Sequence, residues 1–295
     1  MSVPSYNAEL VLDCRVDLGE GPIWDAKNQV LYWVNIMENE VHVYNPVDNS
    51  DRVINVGQHV GTVVARESGG LMLALHHGFA SLDLDTEEVS VITDPEPDIP
   101  GNRFNDGKCD PRGRFWAGTM PIDEGGATGS LYVLDTDLGY RKMVEGVQIS
   151  NGIVWSPDET QMYFIDTPLG TVDAFDFDAD TGEIENRRPV ITLPEGQGFP
   201  DGMTGDVEGM LWVAHWGGSR ITRWNPNTGE HLATVHVPAA QVTACAFSGP
   251  NLDQLYITCA RRGLSEEALA ETPHAGSLFV AEVGVQGVEA FEFAG

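Results

Sequence analysis

Short apolar runs recur along this 295-residue chain, separated by turns rich in Asp, Gly, Asn and Pro. One unit, a polar turn followed by an aromatic or aliphatic strand, appears six times. The copies are DAKNQVLYWV at Asp25, ESGGLMLAL at Glu67, DPRGRFWAG at Asp110, SPDETQMYFI at Ser156, DVEGMLWVA at Asp206 and SGPNLDQLYIT at Ser248. Successive starts are 42, 43, 46, 50 and 42 residues apart. Each copy is followed by a second apolar segment (EVHVYNP, FASLDLD, GSLYVLD, TVDAFDFD, SRITRWNP and GSLFVAEV). Several of these alternate apolar and polar residues, as a half-buried strand requires.

A period in the forties with several strands and turn signals per unit predicts propeller blades. Helical repeats of that length need apolar residues at 3.6 spacing, which these segments lack. Six units predict an all-β, six-bladed β-propeller with four-stranded blades. No linker interrupts the pattern, so residues 1–295 read as a single propeller domain. The segment Glu9–Asp13 is expected to pair beside the last blade, closing the ring and hiding sheet edges. The one convincing helical stretch is Ser265–Glu271, SEEALAE, with Ser265 as its N-cap.

Five positions before each start stand Glu20, Thr62, Asn105, Asn151, Asp201 and Thr243, all oxygen-bearing in largely apolar surroundings. Blades are related by rotation, so residues at one repeat phase form a ring about the propeller axis. This phase falls on the strand expected to line the channel, which predicts six polar groups converging there. Two carboxylates and two amides meeting at one point disfavour double ionisation unless a cation neutralises them. Oxygen ligands without sulfur or a required histidine suit Ca²⁺, Mg²⁺ or Mn²⁺, and Fe²⁺ and Zn²⁺ also accept them. Gly follows Glu20, Asn151 and Asp201, and Asn-Gly and Asp-Gly are ordinary turn pairs. Each residue taken alone therefore reads as a turn signal, and only the shared phase argues for a site.

Composition narrows the function. The chain carries 45 acidic against 16 basic residues, a net charge of −29, which argues against nucleic acid and anionic membranes as partners. The basic residues are 13 Arg and three Lys, a surface compatible with concentrated salt and equally with an ordinary acidic protein. No stretch is long and apolar enough to span a bilayer, and Met1–Leu10 shows no targeting signal, so a soluble cytoplasmic protein is expected. Cys14, Cys109, Cys245 and Cys259 lack CxxC spacing and are expected as reduced, buried thiols in strand-like segments. There is no G-x-S-x-G elbow, P-loop or dinucleotide fingerprint. The pattern leaves the oligomeric state open.

The segments LGEGPIW (Leu18–Trp24), NRFNDGKCDPRGRFWAGTM (Asn102–Met120), SNGIVWSPD (Ser150–Asp158) and FPDGM (Phe199–Met203) resemble the family of regucalcin (senescence marker protein) and bacterial gluconolactonases. The likeness runs from about Asp13 to Arg262. It implies a six-bladed propeller with one divalent metal, and hydrolysis of a small-molecule sugar lactone. The family's metal ligands fall on Glu20, Asn151 and Asp201, and its substrate-contacting pair on Arg103 and Asn105. The family often has a sugar-contacting glutamate after the GTM segment. Here the loop differs, with Asp123 or Glu124 in that region.

These residues suggest a metal that polarises the lactone carbonyl, Asp201 as general base, and Arg103 and Asn105 positioning the sugar. Asp106 would orient Arg103 or complete the metal's outer shell. His215-Trp216 reads more readily as a packed strand end than as part of the mouth, His59 as a loop histidine, and His76-His77 as exposed. The alternatives are hydrolysis of another ester, such as an organophosphate, and a non-catalytic calcium-binding propeller that docks partner proteins.

Overall fold

The computed structural model describes residues 3–295, so Met1 and Ser2, part of the segment read for a targeting signal, lie outside the described residues. It is a six-bladed β-propeller. The innermost strands are Gly19–Asp25, Val60–Ala65, Asn102–Cys109, Ser150–Trp155, Phe199–Gly205 and Gln241–Ser248, numbered blades 1 to 6 in chain order. Each begins an antiparallel sheet that steps outward strand by strand. Blade 6 has only three strands from its own repeat, and Glu9–Leu12 supplies the fourth by pairing with Leu278–Glu282, as expected. A feature not expected is Ser5–Asn7, which adds in parallel to Glu230–His236 on the outer edge of blade 5. The helix forms at Glu266–Glu271, with the Ser265 side chain accepting from the Ala268 N–H.

The turn that opens each repeat shows why the sequence folds this way. Asp110 Oδ1 accepts the N–H groups of Arg112 and Arg114, while Oδ2 accepts the Trp116 indole N–H at 2.9 Å. Asp206 does the same with Glu208, Met210 and Trp212, and Asp25 holds the Tyr32 hydroxyl at 3.0 Å. One carboxylate thus closes the turn and pins the aromatic of the next strand. Trp33, Trp116 and Trp212 are fully buried.

The apolar core lies between blades. One cluster spans blades 1 to 3, others join blades 3 and 4, 4 and 5, and 5 and 6. Trp24, Leu31, Trp33 and Tyr44 of blade 1 meet Tyr256 and Leu278 of blade 6, so the ring is closed by side-chain packing as well as by strand exchange. All four cysteines are free. Cys109, Cys245 and Cys259 are buried, whereas Cys14 is half-buried and lies outside any strand, contrary to expectation.

Candidate active site in the central channel

In all six blades, the pairing between the innermost and second strands loses register at the ring phase. The shifts fall between Glu20 and Ile23, Val60 and Thr62, Phe104 and Gly107, Ser150 and Ile153, Pro200 and Met203, and Val242 and Ala244. Each gives the innermost strand one residue more than its partner, a bulge that re-aims the side chains it carries. The glycines beside the ring residues belong to these strands and not to turns. A Cβ on Gly152 would lie 2.5 Å from the Met203 side chain, and one on Gly202 would lie 2.4 Å from Ala244 Cβ. Neighbouring innermost strands approach too closely there for any side chain.

The six ring residues are all buried, but they do not all converge. Thr62 Oγ1 donates to the Gly107 carbonyl of blade 3 at 3.1 Å, and Thr243 Oγ1 donates to the Gly19 carbonyl of blade 1 at 2.5 Å. The expectation of six converging groups is corrected on this point: these short hydroxyls are spent stapling adjacent blades. Glu20, Asn105, Asn151 and Asp201 remain.

The two amides are fixed by what surrounds them. Asn105 Nδ2 donates to the Ser150 carbonyl at 2.7 Å and to Asn151 Oδ1 at 3.0 Å, and Asn105 Oδ1 accepts from Arg103 Nη1 at 2.7 Å. Asn151 Nδ2 donates to Thr167 Oγ1 at 2.7 Å, and Thr167 in turn donates to the Pro200 carbonyl. That chain of bonds turns the Asn151 oxygen toward Asn105. Thr167 sits in the short 3-10 turn Thr167–Leu169 after the second strand of blade 4. Sequence reasoning missed it, because nothing in its residue type or phase marks it.

The carboxyls are held against their preference. Burial, with the Asp106 carboxylate nearby, pushes Glu20 up to about 8. Burial, then Glu20 and Asp106, pushes Asp201 well above the usual carboxylate range. Asp201 Oδ1 is buried and has no hydrogen-bond partner among the described residues, an arrangement that costs about 1–3 kcal/mol when left unsatisfied. Arg103 is lowered to about 10 by burial, against the pull of Glu20, and so keeps its charge at neutral pH. Two raised carboxyls, one of them carrying the orphaned oxygen, and the Asn151 amide oxygen form a hard-oxygen set that fits a divalent cation.

Other candidates fall elsewhere. Asp106 is buried, accepts the Gly107 N–H at 2.7 Å and is linked electrostatically to Lys108; no hydrogen bond joins it to Arg103, which Asn105 holds instead. Glu124 is exposed on the loop after Phe115–Pro121 and lies within electrostatic range of Arg103. The Asp123 carboxylate folds back onto the Gly125 N–H. His215 is fully buried, with Nδ1 donating to the Gln197 carbonyl and Nε2 accepting from Thr222, a packing role that burial enforces by lowering it to about 4. Trp216 is half-buried against the core cluster of the first three blades. His59 is half-buried with Nδ1 beside Asn39 Oδ1 at 2.9 Å, while His77 is exposed. A separate apolar cavity of about 90 Å³ is lined by Trp24, Trp155, Tyr163, Phe247 and Phe291, without Glu20, Asn151 or Asp201. Its wall includes residues four positions beyond the ring in every blade but the second, about 13 Å farther along the strands.

Relatives share this framework along their whole length. The family model for the SMP-30/gluconolactonase/LRE-like region matches residues 18–261. The Bacillus subtilis protein YvrE, grouped by name with the sugar lactone lactonases, is 38% identical over 289 residues, 98% of this chain and 99% of its own length. Regucalcin of Oryctolagus cuniculus is 38% identical over 297 residues, 99% of each chain. The solved structure of a calcium-binding protein, regucalcin from Agrobacterium tumefaciens, superposes with a TM-score of 0.94 at 29% identity, covering 99% of both chains. With its propeller, its motif segments and its full-length relatives in agreement, the chain belongs to the SMP-30/gluconolactonase/LRE-like family, which includes sugar lactone lactonases.

Proposed function

We propose that this protein hydrolyses a sugar-acid lactone, of the gluconolactone or xylonolactone kind, to the free aldonic acid. In this reading Glu20, Asn151 and Asp201 hold one divalent cation in the channel. The observation that carries it is the buried, unpartnered Asp201 Oδ1 beside a second raised carboxyl. A chain that buries two carboxyls this way has a use for a cation between them. The calcium-binding Agrobacterium tumefaciens relative supports a divalent ion. The oxygen set accepts Ca²⁺, Mg²⁺, Mn²⁺, Zn²⁺ or Fe²⁺, and supply decides among them.

Such a cation supplies polarisation of the ester carbonyl and stabilisation of the charge that develops on it. The chain's own residues do the rest. Asp201 accepts the proton of the attacking water at its carboxylate. Asn105 fixes Arg103, whose Nε and Nη2 have no hydrogen-bond partner among the described residues and so serve sugar hydroxyls or the ring oxygen. Glu124 offers an acceptor at the rim for a sugar hydroxyl. Asp106 belongs to the layer behind the ligands. Residues 1–295 act as one propeller unit, in the cytoplasm, without nucleic acid or membrane as partner.

Asp201→Asn tests the assignment with little change in volume. Turnover of lactone should fall by roughly 10²–10⁴-fold, together with divalent affinity. A variant that keeps full turnover overturns the role of Asp201.

A further inference from the structure

Asn151 carries a choice that its place in the ring does not settle. Its amide bears an oxygen and a nitrogen, and half a turn of the group exchanges them. Only the oxygen can hold a hard cation. The side chain is buried, and a chain of hydrogen bonds running in one direction makes the choice.

Both ends of that chain are groups of fixed sense. Arg103, which can only donate, gives Nη1 to Asn105 Oδ1 at 2.7 Å. Asn105 Nδ2 donates to Asn151 Oδ1 at 3.0 Å, and Asn151 Nδ2 to Thr167 Oγ1 at 2.7 Å. Thr167 commits its one hydroxyl proton to the Pro200 carbonyl at 2.8 Å, a group that can only accept. If Asn151 turned over, two Nδ2 donors would meet on the Asn105 side. On the other side the Thr167 hydroxyl would have to abandon Pro200. The chain thus starts at the arginine assigned to the sugar, passes through one cation ligand and ends on the residue before another, Asp201.

Thr167 is itself held still. It opens the 3-10 turn Thr167–Leu169, in which Pro168 presets the backbone and Gly170 closes the turn at φ 68°. Its N–H donates to the Ile149 carbonyl at 3.1 Å, and its carbonyl accepts the Gly170 N–H at 3.1 Å. The neighbouring Asp166 carboxylate, which is buried, accepts the Ile149 N–H at 2.9 Å. These bonds tie the turn to the segment that leads into the innermost strand of blade 4. Branching at Cβ restricts the hydroxyl further. The turn is anchored on blade 4, and its hydroxyl reaches blade 5.

We propose that Thr167 is a positioning residue for the cation: through one hydroxyl it fixes the Asn151 amide with its oxygen available as a ligand, ties that ligand to the strand that carries Asp201, and acts as one unit with Asn105. This rests on the ligand set of the proposed function and not on the lactonase activity.

The test measures Ca²⁺ and Mn²⁺ affinity by calorimetry on metal-stripped protein, with thermal melting of the same samples. Thr167→Val keeps the shape and removes the hydroxyl, and affinity should fall about tenfold. Thr167→Ser keeps the hydroxyl without the branch and should stay within about threefold of wild type. Thr167→Val combined with Asn105→Leu should bind no more than about threefold more weakly than the worse single variant, because either change alone already frees the Asn151 amide. The proposal is overturned by wild-type affinity in Thr167→Val, by a serine variant as weak as the valine one, or by losses that multiply to about a hundredfold in the double variant. A threonine that serves the fold alone would lower the melting temperature and leave affinity unchanged, which overturns it too. If Thr167→Val does not fold, Thr167→Ala carries the same expectations. Lactone turnover run in parallel keeps the two readings apart. Wild-type protein that binds the cation and opens no lactone overturns the lactonase reading and leaves Thr167 to stand or fall on affinity, whereas wild-type protein that binds no divalent cation overturns both.

Discussion

Asn105 Nδ2 donates to Asn151 Oδ1 across 3.0 Å, so the amides of blades 3 and 4, one repeat apart, hold each other in place. The same Asn105 side chain also serves the Ser150 carbonyl and Arg103. Asn105→Leu keeps the bulk and removes all three bonds. Divalent affinity should fall about tenfold, the equivalent of about 1.4 kcal/mol, as Asn151 loses the partner of its oxygen. Lactone kcat/KM should fall further, because Arg103 is freed as well. Calorimetry and turnover on one preparation separate the two effects, and an unchanged affinity would show that Asn151 needs no such support.

Glu20 predicts a pH dependence of stability in the cation-free protein. Its carboxyl sits at about 8 when folded against an ordinary 4.5. Between those values the native state keeps a proton that the unfolded chain has released, so this group's contribution to stability falls as pH rises. Glu20→Gln removes the linkage. With chelator present, the variant should melt near the wild-type temperature at pH 5 and several degrees above it at pH 8. A gap that stays constant across this range contradicts the raised carboxyl.

Much of this architecture is legible in the sequence because each repeat advertises its turn. Asp110 and Asp206 stand six residues before Trp116 and Trp212, the spacing at which one carboxylate both closes the turn and holds the indole. The ring phase is legible for the same reason, since it lies at a fixed distance from that turn. The bulge at the ring is not, because register depends on the partner strand and leaves no mark on residue type. Hence Gly152 and Gly202 resemble turn glycines, although they make room for the next blade. Thr62 and Thr243 share the phase but not the role, since only the structure shows which carbonyl a hydroxyl meets. Ser5–Asn7 escapes as well: three residues added to an outer edge carry no period.

Asp110 provides a contrast between stability and function. Its carboxylate is fully buried and accepts from Arg114 Nε at 2.6 Å and from the Trp116 indole. Asp110→Ala leaves a buried guanidinium and an indole N–H without their partner, which should cost about 3–5 kcal/mol. Urea unfolding should shift to a correspondingly lower midpoint. Divalent affinity of the protein that remains folded should stay at the wild-type value, because Asp110 lies five residues beyond Asn105 at the far end of the strand. A loss of affinity matching the loss of stability would mean that the turn and the site are coupled.

The central claim is a cation-dependent lactonase, and acid release tests it most directly. Metal-stripped protein would be given glucono-, xylono- and arabinonolactone with Ca²⁺, Mg²⁺, Mn²⁺, Zn²⁺ or Fe²⁺ restored singly, and spontaneous opening subtracted. The account predicts acceleration only with a cation present, abolished in Asp201→Asn. Folded protein that binds the cation yet accelerates none of these lactones would contradict it.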